Sequence, residues 1–258
     1  MILRAENFPS SATHGFSTRL GGVSQGRFAT MNFGERWGDD PEAVVENLRR
    51  LGHAADFDPS QLVRVRQVHG IHVAAAHEVR AGASPVEADG VWHHVDHPWP
   101  KDAAPPVLAV LTADCVPVLL VDREARAAAA VHSGWRGTVG NITGEAVAKL
   151  VDHGVPATRI LAAIGPCIEA DAFEVGEEVA AQFDARFVVR AGFPKPHVDL
   201  VACVRAQLEA AGVPANQIER VGGCTHASAD LYFSYRRDGA GIGQHMSFVG
   251  LRAAELTH

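Results

Sequence analysis

The sequence predicts an α/β fold with mixed sheets covered by helices. Short apolar runs typical of buried strands alternate along the chain with longer segments that carry helix start and stop signals. One further segment alternates between apolar and polar residues, as in a strand with one buried face. Strands and helices that alternate in this way favour a layered α/β arrangement, although the order of the strands is left open.

Four helices are predicted from their terminal signals. Asp40 is a capping residue and Pro41 suits the first helical position, so the first helix begins there and ends at Gly52. Glycines close two of the later helices as well. These later helices are expected at about 139–151, 177–183 and 200–211.

The predicted strands are mostly continuous apolar runs, as in strands buried on both faces. In the first of them, Val63, Val65, Gln67 and His69 share one face. Two loops, at 79–90 and 93–106, are rich in turn-forming residues. The strands are expected at 62–69, 107–111, 116–121, 127–132, 159–164, 218–224 and 246–251.

Length and charge restrict the class of protein. A chain of 258 residues suits one large domain, and 47% hydrophobic residues is ordinary for a globular protein. The net charge of −7 argues against nucleic acid or an anionic membrane as the main partner, but a local basic site for a small anion remains possible. The chain start lacks the apolar core of a signal peptide, and no apolar run reaches the roughly 18 residues of a membrane helix. We therefore expect a cytoplasmic monomer or homodimer.

Polar residues interrupt or follow three of the predicted strands, where α/β proteins tend to place ligand sites. The segments are Gln67-Val68-His69-Gly70, Thr112-Ala113-Asp114-Cys115-Val116-Pro117 and the run from His132 to Thr138. They contain His69, Cys115 and His132, whose side chains suit zinc or copper. Three protein ligands would leave a fourth position open for water or substrate, as in a catalytic centre.

The three candidate ligands also have ordinary interpretations. Their wide spacing does not match a zinc finger, so the fold would have to assemble the site. In the ordinary interpretation, Cys115 is a buried core cysteine and the two histidines are structural residues whose ring nitrogens are hydrogen-bonded within the fold. Against this, Asp114 and Pro117 interrupt an apolar run around Cys115, which is unusual within a buried strand.

Two arginines are candidates for binding phosphate or a substrate carboxylate. Arg136 lies in a turn that leads into a predicted helix, and Arg19 lies in a glycine-rich turn. The alternatives are a solvent-facing arginine and a plain loop. Asp114 is a candidate to shuttle a proton or orient a ligand, with a turn or capping aspartate as the alternative.

Other catalytic motifs are absent. The sequence contains no P-loop and no G-x-G-x-x-G followed by a helix. His93, His94 and His97 lie beside Trp92 in the proline-rich loop, where we expect an exposed cluster.

Six motifs in order closely resemble the YfiH family, known as multicopper polyphenol oxidase or laccase-domain proteins and more recently as purine nucleoside phosphorylases. The resemblance extends from about residue 14 to residue 250. The motifs are Ser17-Thr18-Arg19 with Gly21-Gly22-Val23-Ser24, Gln67-Val68-His69-Gly70, Ala113-Asp114-Cys115-Val116-Pro117, His132-Ser133-Gly134-Trp135-Arg136-Gly137, Gly165-Pro166-Cys167-Ile168 and Ser234-Tyr235-Arg236-Arg237-Asp238.

The resemblance implies a single layered α/β sandwich forming one domain over residues 1–258. It also implies a metal, usually zinc with copper possible, held by His69, Cys115 and His132. Ser133 stands where the family most often has alanine, and we expect this difference to be harmless.

The resemblance further implies chemistry on purine nucleosides: phosphorolysis of adenosine, inosine, guanosine and methylthioadenosine, and deamination of adenosine. The partners would be a small purine nucleoside and phosphate. Gln67 and Asn32 are candidates for reading the base. Alternatives are a copper-dependent polyphenol oxidase, a factor that edits peptidoglycan precursors, and a non-enzymatic metal-stabilised binding protein. The copper oxidase ranks lower because a laccase needs many His and Cys ligands in close motifs, and the chain has no His-x-His pair.

Overall fold

The computed structural model describes residues 1–82, 84–100 and 102–252. Its helices are α1 (Pro41–Ala55), α2 (Ala76–Ala81), α3 (Trp135–Val139), α4 (Ile142–Asp152), α5 (Glu177–Ala180), α6 (Leu200–Ala210) and α7 (Tyr235–Asp238). Its strands are β1 (Ile2–Leu3), β2 (Ala12–Ser17), β3 (Leu62–Arg64), β4 (Val73–Ala75), β5 (Gly90–His94), β6 (Val107–Thr112), β7 (Val116–Asp122), β8 (Ala127–Ser133), β9 (Ile160–Ile164), β10 (Val188–Val189), β11 (His197–Val198), β12 (Ile218–Arg220) and β13 (His245–Leu251). No helix in these ranges is long and apolar enough to cross a membrane.

The strands form two large sheets and one small ribbon. Sheet 1 has the order β1-β2-β13-β6-β3, and sheet 2 has the order β12-β9-β7-β8-β5-β4. Most neighbours are antiparallel, but β3 with β6, β4 with β5 and β9 with β12 are parallel. The predicted α/β fold with mixed sheets is therefore confirmed.

The two sheets pack face to face, with helices on their outer faces. Leu119 and Val121 of β7 face sheet 1 and share a core with residues such as Leu108. The intervening Val118 and Leu120 share a second core with α4 and α6. On the far side of sheet 1, β6 and β13 form a third core with α1. Burial on both faces explains why β7 is a continuous apolar run, because each of its faces meets apolar neighbours.

Four predicted elements are shorter or divided in the structure. The strand expected at 62–69 ends at Arg64. Beyond it, the backbone of Arg66 bonds with Val86 and Ala88, and the N–H groups of residues 68–70 bond to the buried side chain of Asp89. The helix expected at 139–151 is two helices, α3 and α4. Asn141 separates them with a left-handed backbone and caps α4 through its side chain. The strand expected at 218–224 ends at Arg220, and the helix expected at 177–183 ends at Ala180.

The two predicted loops contain regular structure. Helix α2 extends to residue 81, and β5 occupies residues 90–94; Ala83 and Lys101 lie outside the described residues. The expected exposed cluster is wrong, because Trp92, His93 and His94 are all buried. These large rings pair across β5 and β8 with small alanines, which leave the space that the rings fill.

Candidate metal centre

The structure brings His69, Cys115 and His132 together. One ligand atom from each lies within 4.8 Å of the others, and the two imidazole rings meet edge to face at 4.9 Å. Within the described ranges, no other group of three His, Cys, Asp or Glu side chains has this geometry. The donor set, two imidazole nitrogens and one thiol sulfur, suits zinc and leaves a fourth position open.

Strand pairing explains how distant residues converge here. Strands β7 and β8 are antiparallel with Val116 opposite Ser133, so Cys115 emerges beside the turn that follows β8. Gly134 lies in that turn, and a Cβ atom on it would lie only 3.2 Å from the Cys115 Sγ and 3.0 Å from the His69 ring. The glycine therefore permits the close approach of the two ligands.

A buried carboxylate, Asp89, holds two of the three candidate ligands. It accepts a hydrogen bond from the Nδ1 of His132 at 2.8 Å, which leaves the Nε2 of that ring free to face a metal. It also accepts the backbone N–H groups of Val68, His69 and Gly70, at 3.2, 2.9 and 2.6 Å. These bonds shape the turn at His69, whose backbone is left-handed with φ 61°. The donor set and this second layer of contacts together fit a zinc ion.

Burial raises the pKa of Asp89, but the hydrogen bonds from His132 and from the backbone N–H groups outweigh it and hold the pKa below its ordinary value. Sequence reasoning missed Asp89, which lies in the segment predicted to be a loop. The available signal was a lone carboxylate directly before Gly90.

The electrostatics of the centre favour a thiolate at Cys115. Burial raises the pKa of this thiol, but the charge of His132 and hydrogen bonds from His132 and His69 lower it to about 6. In the same pair, the thiolate charge and Asp89 raise the pKa of His132 despite its burial. A thiolate is the form of cysteine that ligates metals, so the centre is arranged for a cation.

Asp114 is bound by three donors. Its carboxylate accepts hydrogen bonds from the Thr225 hydroxyl at 2.6 Å, the Ser234 hydroxyl at 3.0 Å and the backbone N–H of Arg236 at 2.7 Å. It therefore ties the turn that carries Cys115 to the start of α7. These three contacts join two distant segments of the chain, and a role of Asp114 in proton transfer stays a prediction.

The two arginines expected to bind phosphate lie in different surroundings. Arg19 donates to the carbonyls of Ala29 and Ala229 at 2.8 and 2.9 Å, and it packs over the Phe233 ring. Arg136 packs over the adjacent Trp135 ring, 4.2 Å from its centre, and is absent from the lining of the cavities around Cys115. Phosphate binding by either arginine stays a prediction.

The two candidate base readers are bonded inside the fold. The amide of Gln67 both donates to and accepts from the backbone of Leu111, each at 2.8 Å. Asn32 is fully buried and bonds with Gly34, Asp39 and Gln244. Their amide groups serve these internal contacts, and base recognition by them stays a prediction.

A cleft with two compartments opens beside the centre, and His69, Ala113, Cys115, Arg36 and Gln244 line both. The first compartment, of about 390 Å³, is completed by Trp37, Asp114, Ile168, Phe173, Tyr235, Arg236 and Ile242. The second, of about 610 Å³, is more polar and is completed by Val65, Arg66, Gln67, Val68, Leu111, Thr112 and His132. Trp37, Phe173 and Tyr235 form the aromatic wall of the first compartment. No role was predicted from the sequence for this wall or for Arg36.

The fold and the site define a class: layered α/β proteins with a candidate three-ligand metal centre that opens to a cleft. Residues 13–252 match the family model described as multi-copper polyphenol oxidoreductase laccase. The chain belongs to this laccase-like YfiH family.

Named relatives in the family act on purine nucleosides according to their names. A purine nucleoside phosphorylase of Deinococcus radiodurans is 41% identical over 260 residues, covering 98% of this chain and 94% of the relative. Adenosine deaminase RL5, from an unknown prokaryotic organism, is 37% identical and covers 92% of each chain. The crystal structure of Neisseria meningitidis protein NMB0706 superposes with a TM-score of 0.84 at 33% identity, over 98% of this chain and 99% of that one.

Proposed function

We propose that this protein is a zinc-dependent purine nucleoside enzyme. Its reactions would be phosphorolysis of adenosine, inosine, guanosine and methylthioadenosine, and deamination of adenosine. The observation that carries the proposal is the His69–Cys115–His132 group at the meeting point of an aromatic and a polar compartment. The names of the relatives support the same substrate class.

The zinc ion would be held by His69, Cys115 and His132. Bound there, it would supply a Lewis acid that polarises the substrate or lowers the pKa of a water molecule toward neutrality. Asp89 bonds to the Nδ1 of His132, so the Nε2 of that ring would face the ion, and its bond to the His69 N–H orients the turn that carries the other imidazole.

The aromatic compartment is suited to a purine base. Phe173 and Tyr235 supply aromatic rings to its lining, and Ile168 and Ile242 supply apolar side chains in the compartment that Cys115 also lines. A planar base is held well by stacking on such rings, while the ribose would point toward the centre. Asp114 supports this wall indirectly, because it accepts the N–H of Arg236, the residue after Tyr235.

The two reactions differ in the bond that breaks. In phosphorolysis the bond between C1′ of the ribose and the base nitrogen breaks, a phosphate oxygen bonds to C1′, and the base leaves with a proton. In deamination the bond from C6 to the amino nitrogen breaks, water supplies the new oxygen, and ammonia leaves. Only the first consumes phosphate.

The oxidase alternative has weaker support. The family description names a multi-copper polyphenol oxidoreductase. Multicopper chemistry requires an electron-accepting copper and a separate oxygen-reducing cluster, whereas the described residues contain a single three-ligand group.

Product analysis tests the proposal. The protein is purified without chelator, incubated with adenosine, inosine or methylthioadenosine, with and without phosphate, and the products are separated. The expected result is free base plus the sugar 1-phosphate, formed only with phosphate, or inosine formed from adenosine. The sugar product is ribose 1-phosphate from adenosine or inosine and 5-methylthioribose 1-phosphate from methylthioadenosine. No product from any of the three nucleosides would overturn the proposal, and phenol oxidation by the same preparation would favour the alternative.

A further inference from the structure

Arg36 is an exposed arginine on the wall of the cleft, and its guanidinium lies over the ring of its neighbour Trp37 at 5.1 Å. No carboxylate or carbonyl within the described ranges pairs with it. It lines both compartments, together with His69 and Cys115. A cation is thus placed beside the metal centre without a partner in this part of the chain.

The other cleft arginines are paired. Arg64 forms an ion pair with Glu35 at 3.0 Å, and Arg66 forms one with Glu87. Arg236 donates to the carbonyl of Glu174 at 2.7 Å and packs on Phe173. Some guanidinium N–H groups of these three arginines are therefore already used. Arg36 is the arginine of this cleft whose guanidinium can donate two hydrogen bonds to a ligand.

The polar compartment is lined by two arginines, Arg36 and Arg66, and by no aspartate or glutamate among the described residues. Glu87 pairs with Arg66, so Arg36 supplies the uncompensated positive charge of this compartment, in a chain whose net charge is −7. A guanidinium binds phosphate through two parallel hydrogen bonds, which gives both affinity and orientation. A basic compartment next to an aromatic one matches a substrate pair of one oxyanion and one planar base.

We infer that Arg36 is the residue that binds the phosphate co-substrate. This assignment rests on the proposed phosphorolysis, and it replaces Arg19 and Arg136, neither of which lines the cleft. Phosphate held by Arg36 lies at the junction of the two compartments. From there an oxygen can approach the ribose of a nucleoside whose base occupies the aromatic side.

The test compares Arg36→Ala and Arg36→Lys with two other arginine variants. Arg190→Ala, which removes an exposed charge that is paired with Glu177 and lines neither compartment, is the matched control. Arg136→Ala represents the rival assignment. Since the Arg36 side chain is exposed, its loss should leave folding intact, which thermal unfolding will check. KM is measured separately for phosphate and for inosine, and binding of inorganic phosphate to the metal-loaded protein is measured by calorimetry.

We expect Arg36→Ala to weaken phosphate binding and to raise the KM for phosphate about tenfold to a hundredfold, the range for loss of charge-assisted hydrogen bonds, with a much smaller change in the KM for inosine. Arg36→Lys should recover part of the loss. Unchanged phosphate affinity in Arg36→Ala, or a loss confined to Arg136→Ala, would overturn the assignment.

Calorimetry separates this inference from the proposed function. Phosphate binding that depends on Arg36 without any nucleoside cleavage would support the anion site and refute the reaction. Nucleoside turnover by a protein that does not bind phosphate would support the function and refute the site.

Discussion

The Oδ1 atom of Asp89 lies 2.8 Å from the Nδ1 atom of His132, and both side chains are almost completely buried. The same carboxylate accepts the backbone N–H of His69 at 2.9 Å. One buried group therefore sets the ring orientation of one candidate metal ligand and the backbone of another. Such partners tune metal affinity nearly as strongly as the ligands themselves.

Replacement of Asp89 should weaken metal binding without removing a ligand. We expect Asp89→Asn to lower zinc affinity about tenfold to a hundredfold, because the His132 ring loses its charged partner. Competition with a chromogenic chelator measures the affinity, and Asp152→Asn, on the exposed end of α4, is the control. Equal affinity in the two variants would show that Asp89 does not support the centre.

Replacement of Asp114 should destabilise the fold. Asp114→Ala leaves the Thr225 hydroxyl and the Arg236 N–H without their acceptor, at a cost of about 1–3 kcal/mol for each buried group left unpaired. Urea unfolding measures the loss. A positioning role also predicts that Asp114→Asn keeps the shape of the pH–rate profile, whereas disappearance of one limb would establish proton transfer by this residue.

The aromatic wall should govern nucleoside affinity. Tyr235 is 52% exposed, so its substitution should not affect folding. We expect Tyr235→Ala to raise the KM for inosine by about tenfold, since stacking on a base is worth about 1–3 kcal/mol, while Tyr235→Phe retains the wild-type value. If Tyr235→Phe is as impaired as Tyr235→Ala, the hydroxyl rather than the ring face is what the substrate uses.

The free energy of unfolding should fall at acid pH because His245 becomes protonated when the chain unfolds. Burial, with further contributions from Arg19 and Arg237, lowers its pKa to about 3, while its Nε2 accepts the N–H of Phe233 at 2.8 Å. The neutral ring stabilises the fold fully above the unfolded pKa of about 6.5, and this stability is lost as the pH falls toward 3. Over that window His245 alone changes the folding constant by up to about tenfold per pH unit. His245→Gln should therefore flatten the dependence of the urea midpoint between pH 7 and pH 5, and an unchanged slope would contradict this.

The fold class could be predicted because its signals are local. Strands buried on both faces must be apolar throughout, and β7 and β8 are visible in the sequence for that reason. Cys115 and His132 stood out because polar residues at the ends of such strands are unusual. Pairing between strands brings them together with His69, and this pairing could not be predicted from the sequence.

The features of the fold and the site that were not predicted from the sequence depend on long-range contacts. Asp89 lies 43 residues from His132, and it accepts the N–H groups of residues 68–70, in the segment that was expected to be a strand up to His69. His93 and His94 were expected in an exposed loop because the small residues that receive them lie on β8, far along the chain. No local sequence motif marks Arg36 as a binding residue, because only the fold places it on the wall of the cleft.

The most direct test is to measure zinc content and adenosine turnover in Cys115→Ala, with Cys203→Ala as the control. Cys203 is a buried thiol whose pKa is raised to about 11 by burial; it lies on α6 and is not part of the candidate metal group. We expect wild type and Cys203→Ala to retain zinc and to form adenine with ribose 1-phosphate, or inosine, while Cys115→Ala retains neither metal nor activity. Full turnover by metal-free Cys115→Ala would contradict this expectation.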